Sequence, residues 1–120
     1  MPDNSLPQSF TALSEQSPQT ILLISDRENM HHLKTSLQYH NCQVQCELID
    51  DFSNSTLRNE IIDRLRLSPP QVLWFHAPNW ELKLKLEDQR RVAICFAIMM
   101  HTQLQDTSRH LIVEGNLHHF

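Results

Sequence analysis

The chain has 120 residues, a mass of 14.1 kDa and a formal net charge of −4, with 10 Lys and Arg against 14 Asp and Glu. That length supports a single domain, and 40% hydrophobic with 20% charged residues is the balance of a folded chain rather than a disordered one. Glycine occurs once, at Gly115. This excludes Gly-rich phosphate loops of the GxGxxG or Walker type, which need several glycines for close backbone approach.

Partners and compartment follow from the same inventory. The acidic balance and the lack of a basic stripe argue against nucleic-acid binding. The densest cationic group, Arg58, Arg64 and Arg66, is interleaved with Glu60 and Asp63 and reads as a solvated helix face. There is no apolar run of about 18 residues, so no membrane span is expected. The N-terminus has neither a basic nor an apolar stretch of a secretory signal. Three cysteines without scaffold spacing suit a reducing, intracellular setting, so a soluble cytoplasmic domain is expected.

Residues 1–19 are rich in Ser, Gln, Pro and Asn and read as a flexible leader, which Phe10 and Leu13 could pin by one helical turn. The domain is expected over 20–120. Ile21–Ile24 is an apolar run suited to a strand buried on both faces. Ser25 and Asp26 can cap the helix that follows, with Met30, Leu33 and Leu37 inward, Lys34, Ser36 and Gln38 outward, and Asn41 closing it. Residues 42–49 alternate as a half-exposed strand near the sheet edge. After a loop at Asp50–Ser53, Ser55 or Thr56 caps a second helix carrying Leu57, Ile61, Ile62 and Leu65, which Ser68-Pro69-Pro70 ends.

Val72–Phe75 is the second strongly apolar strand, and His76–Trp80 leaves its end. Residues 81–87 alternate Leu82, Leu84 and Leu86 with Lys83 and Lys85, a pattern that fits an edge strand or an extended loop. Asp88 opens the longest helix, about 89–105, with Val92, Ala93, Phe96, Met99 and Met100 inward. Thr107-Ser108 turns the chain into a last strand, His110–Val113, and residues 117–120 form a tail. The order βαβαβαβ predicts an α/β fold: a small Rossmann-like or flavodoxin-like three-layer sandwich with about four parallel strands.

Ligands of such sheets bind beyond the C-terminal strand ends. Those ends carry Asp26, then Asp50 and Asp51, then His76, Asn79 and Trp80, then Glu114. The same residue types also serve as caps and turn formers. Trp80 at a strand exit is either a lid on the sheet edge or a binding surface. No HExxH or CxxC motif occurs, and the adjacent pairs His31-His32 and His118-His119 diverge on any regular element, so no metal site is expected. Cys42, Cys46 and Cys95 read as buried, inert thiols.

Two family resemblances accompany this reading. Asp50-Asp51-Phe52, Pro70–Trp74, His76–Trp80, Gln105 and Ser108–Asn116 form a pattern similar to degenerate cytosine-C5 methyltransferase-like domains, as in some retroelement polyproteins. The resemblance implies S-adenosylmethionine chemistry, but Asn79 stands where the family has its nucleophilic Cys, and an amide cannot form the covalent adduct. The 25–29 loop has no glycine where the cofactor would approach the backbone. Glu114 matches the acid that such enzymes place beside the base. More weakly, Ile21–Asp26 and Pro70–His76 resemble the first and third strands of response-regulator receiver domains, with His76 where the family has its phosphorylated Asp.

Both resemblances imply a nucleotide-type scaffold without its catalytic residues. The expectation is a non-catalytic interaction module that needs no cofactor and works through a protein partner at the strand-end rim, with homodimerisation as a further mode. The alternatives are a truncated methyltransferase-like or nucleotide-binding enzyme domain, in which Asp50 or Asp51 would meet ribose hydroxyls, and a receiver-like regulatory domain lacking its phospho-acceptor.

Overall fold

A computed structural model of the chain describes residues 19–103, 109–113 and 116–118. The strands are β1 (Thr20–Ser25), β2 (Gln43–Leu48), β3 (Val72–His76), β4 (His110–Val113) and β5 (Asn116–His118), and the helices are α1 (Arg27–Tyr39), α2 (Ser55–Leu67), α3 (Trp80–Lys83) and α4 (Leu86–Gln103). A 3₁₀ turn at Ile49–Ser53 joins β2 to α2. The sheet runs β2-β1-β3-β4-β5. The first four strands are parallel, and β5 returns antiparallel along β4. This is the expected α/β sandwich with four parallel strands.

Strand alternation divides the core in two. Leu22, Ile24, Leu73, Phe75 and Leu111 meet Ile61, Ile62 and Leu65 of α2, Val92, Cys95 and Met99 of α4, and Ile49 and Phe52 of the 3₁₀ turn. On the other face, Ile21, Leu23, Val72, Trp74 and Ile112 pack with Leu33 and Leu37 of α1. The continuous apolar runs of β1 and β3 exist because both faces are covered. Trp74, in the middle of the sheet, is 0% exposed.

The end of α1 shows how closely local chemistry is followed. His40 is the C-cap, and Asn41 takes the left-handed conformation at φ 61°. Asn41 N–H donates to Gln38 O at 2.9 Å and Cys42 N–H to Leu37 O at 3.3 Å, the paired bonds of a Schellman motif. Asn fills the position usually given to Gly, because its short polar side chain tolerates φ > 0.

Several expectations are corrected. Residues 80–86 are not a strand and only in part a loop: Trp80–Lys83 is a helical turn, Leu84 and Lys85 link it onward, and α4 already begins at Leu86. The Leu/Lys alternation still places Leu84 inside and Leu82 and Leu86 outside. The inward stripe of α4 is Val92, Cys95 and Met99, with Phe96 half-buried and Ala93 and Met100 exposed. Ser36 is buried and donates to His32 O at 2.9 Å, rather than facing out. Asn54, not Ser55 or Thr56, caps α2, accepting from the N–H groups of Thr56 and Leu57. Residues 116–118, expected in the span that leaves β4 and becomes a tail, form β5.

Arg58 is the largest correction. Expected on a solvated face, it is 7% exposed. It donates to Asp88 Oδ1, itself 4% exposed, and to Phe52 O at 2.9 Å, tying α2, the 3₁₀ turn and α4 together. Gln19, read with the leader, is buried, and its carbonyl accepts from Gln43 N–H at 2.9 Å, so the ladder starts one residue earlier than expected. The Phe10–Leu13 turn, the Thr107-Ser108 turn and Glu114 lie outside the described residues.

Candidate functional site

The strand order changes direction at β1, which has β2 on one side and β3 on the other. The C-terminal ends of β1 and β3 therefore form the switch-point crevice where sheets of this kind hold their ligands. Ser25 and His76 are register partners there. Ser25 Oγ donates to His76 O at 2.6 Å, so a buried hydroxyl latches the two strand ends together.

Asp26 follows directly and is 3% exposed. Its Oδ1 accepts from Asn29 N–H at 2.9 Å and from Asn29 Nδ2 at 2.8 Å, which makes it the N-cap of α1. Such a cap contributes about 1 kcal/mol. Its second oxygen lies 4.0 Å from Lys83 Nζ on α3. A carboxylate of the chain itself thus occupies the positive end of α1, where an incoming phosphate would otherwise sit.

The remaining predicted residues separate into two groups. His76 is half-buried, and its Nδ1 has no hydrogen-bond partner among the described residues. Asn79 is exposed at the start of α3, where its carbonyl accepts from Leu82 N–H at 3.0 Å. Trp80 is half-buried, its ring edge-on to Phe75 at 5.7 Å, so it leans on the α2/α4 core as well as on solvent. Asp50 and Asp51 lie apart from these on the exposed 3₁₀ turn, where Asp51 helps line a groove shared with Arg27, His31, Lys34, Cys46 and Glu47. The structure therefore sets Asp26 and His76 at the adjoining ends of β1 and β3, links Asp26 through Lys83 to the helical turn that carries Trp80, and leaves Asp50 and Asp51 on the 3₁₀ turn. Glu114 lies outside the described residues.

Lys83 and the exposed pair Leu82 (87% exposed) and Leu86 (63%) were missed from sequence. Their signal was present in the alternation of residues 81–87, which placed leucines on a segment beside the rim.

The thiols are held in their neutral form. Burial pushes Cys42 and Cys46 up, and Cys95 up to about 11. Burial also raises the carboxyl of Glu47, against the opposing pull of Arg64 at 3.7 Å. Among the described residues, no group of three or more His, Cys, Asp or Glu side chains is placed to hold a metal ion. No helix among them is long and apolar enough to cross a membrane. Compared with models of known protein families, with curated proteins and with solved structures, the chain has no match.

Proposed function

We propose that the chain is a non-catalytic Rossmann-like interaction module, an intracellular pseudoenzyme-type domain that uses the C-terminal rim of its parallel sheet to contact a protein partner. The observation that carries this reading is the self-filled switch point. The Asp26 carboxylate caps α1, Lys83 answers its charge, and the Ser25–His76 bond closes the strand ends. A nucleotide phosphate entering there would meet a buried carboxylate instead of free amides. Beside the crevice, Leu82 and Leu86 stand exposed within a segment that also holds half-buried Trp80, the kind of aromatic and aliphatic cluster that anchors interfaces.

A receiver-like regulatory domain without its phospho-acceptor is the second reading. It is favoured by the order β2-β1-β3-β4, which is the flavodoxin-like order rather than that of a dinucleotide-binding half. Both readings use the same rim and need no bound nucleotide.

The test has two arms. Thermal-shift titration with S-adenosylmethionine, NAD and ATP should leave the melting temperature unchanged. Ligand at 100 times Kd would add about 2.7 kcal/mol, and a rise of several degrees with any of the three would refute the non-catalytic reading in favour of the enzyme alternative. In the second arm, a binder selected against the native chain by crosslinking is re-measured against Leu82→Glu/Leu86→Glu. The rim reading requires at least a thirtyfold loss of affinity, about 2 kcal/mol, while circular dichroism stays native.

A further inference from the structure

We propose that the groove outside the C-terminal ends of β1 and β2 binds a small dicarboxylic α-amino acid of the glutamate or aspartate class, with its two carboxylates on Arg27 and Lys34 and its ammonium on Asp51. The groove uses none of the residues that fill the switch point or form the rim, so the inference does not depend on the reading above.

Its placement follows from chain order. Arg27 opens α1 directly after β1, and Leu48 ends β2, the parallel neighbour of β1. Both strand ends point to the side of the sheet where folds of this kind hold their ligands. Arg27, His31 and Lys34 are spaced by four and three residues, so they share one face of α1. That face lines the groove together with Asp51 of the 3₁₀ turn. The volume is about 460 Å³, within the range of roughly 300–1,000 Å³ that small-molecule sites occupy.

Charge selects the occupant. Among the described residues, Arg27, Lys34 and the Asp51 carboxylate make no ion pair, whereas Arg58, Arg64 and Lys83 each do. Glu47 also borders the groove, but its side chain alternates with Cys46 across the sheet. Cys46 packs with the α1 core, and the Glu47 carboxylate lies 3.7 Å from Arg64 of α2. The groove is left with two fixed positive charges, one negative charge and the His31 imidazole as a further hydrogen-bonding group.

A ligand that matches this set carries two anionic groups and one cationic group, and a dicarboxylic α-amino acid has all three on a short carbon chain. The Arg27 guanidinium suits a carboxylate held by two parallel hydrogen bonds, and Lys34 supplies a point charge for the other. Burial raises the Cys46 thiol and the charge of Lys34 opposes that rise, so the ammonium of Lys34 stands close to the groove floor. Met30, Cys46 and Leu48 are half-buried and give the floor an apolar surface for the ligand's methylenes. A phosphate ester would satisfy the two cations but set an anion against Asp51. A nucleobase would find no Phe, Tyr or Trp among the lining residues to stack on.

Titration calorimetry of the full chain with L-glutamate and L-aspartate tests this. One of the two should bind one-to-one, and glutarate, which lacks the ammonium, and L-glutamine, which lacks one carboxylate, should each bind about tenfold more weakly. The substitutions lie at exposed positions and should leave circular dichroism native. Lys34→Gln should weaken the amino acid and glutarate alike, whereas Asp51→Asn should weaken the amino acid about tenfold and leave glutarate unchanged. Bound amino acid should also slow alkylation of Cys46 by iodoacetamide, as read by peptide mapping. Absence of binding at millimolar L-glutamate and L-aspartate would overturn the proposal, as would glutarate binding as tightly as the amino acids. Inorganic phosphate binding more tightly than either would overturn the ligand class. Binding indifferent to both Lys34→Gln and Asp51→Asn would place the ligand elsewhere on the chain and overturn the groove.

Discussion

Breaking the Arg58–Asp88 pair should be among the most damaging single changes outside the apolar core. Both side chains are almost wholly buried, at 8% and 5% side-chain exposure. Arg58 also holds Phe52 O, while the Glu87 carboxylate, largely in solvent, approaches to 3.8 Å. Asp88→Ala removes the buried counter-charge and leaves the guanidinium with only the solvent-screened Glu87 carboxylate at 3.8 Å as an ionic partner. Loss of one partner of a buried pair costs about 3–5 kcal/mol. For a domain of this size that lowers the melting temperature by about 15–25 °C. Replacing both, as Arg58→Met with Asp88→Leu, removes the charges together and should be near neutral or stabilising, because the pair's mutual attraction only offsets its own desolvation. The assay is urea denaturation followed by far-UV circular dichroism for the single variants Asp88→Ala and Arg58→Met and for the double. If Asp88→Ala costs under 1 kcal/mol, the pair is solvated and the clamp between α2, the 3₁₀ turn and α4 does not exist. If the double variant is as damaged as the singles, the ion pair itself, not an orphaned charge, is what the fold requires.

Three further outcomes are expected. Asp26→Ala should cost about 1–2 kcal/mol as a lost cap and Asp26→Asn much less, measured by the same denaturation; equal losses would show that the charge facing Lys83, rather than the cap, matters most. Trp74→Ala should cost about 3–5 kcal/mol, because it empties a fully buried site in the central strand, whereas Trp80→Ala, which loses one edge-on aromatic contact and part of its cover, should cost clearly less. Cys95 should resist thiol reagents in the native chain and react at once in denaturant. Since burial lifts it from 9.0 to about 11, the unfolded chain loses its thiol proton first, and stability should fall as pH rises from 9 to 11. Serine at position 95 should abolish that part of the alkaline slope.

The sheet was legible because its signals are local. Four-residue apolar runs in β1 and β3 have no other stable placement than a strand covered on both faces, and Asp26, Asn41 and Pro69-Pro70 punctuate the helices by their own backbone chemistry. Residues 80–86 misled because a leucine-lysine alternation is what a strand requires, yet Pro78 and Asn79 start a helical turn before the pattern can act. Tertiary packing then needs only one of the three leucines, and Leu84 goes in alone. The strand β5 was illegible because three residues carry no period.

The charged clamp was hidden by treating charge as a surface mark. On α2, Arg58 precedes Ile61, Ile62 and Leu65 by three, four and seven residues. On α4, Asp88 precedes Val92, Cys95 and Met99 by four, seven and eleven. Each charge therefore occupies a place in an apolar stripe, and the two are opposite in sign. A single charge in such a stripe is costly to bury, but two of opposite sign on neighbouring helices can be buried together. The same logic bears on the rim. Asp26 was legible as a cap and as a candidate ligand group at once, and only the distances decide between them: with Asn29 N–H at 2.9 Å and Lys83 at 4.0 Å, its oxygens are already engaged. A partner that recognises this end of the sheet must therefore read what the crevice leaves outside, which is Asn79, the free side of Trp80, and the leucines that follow it.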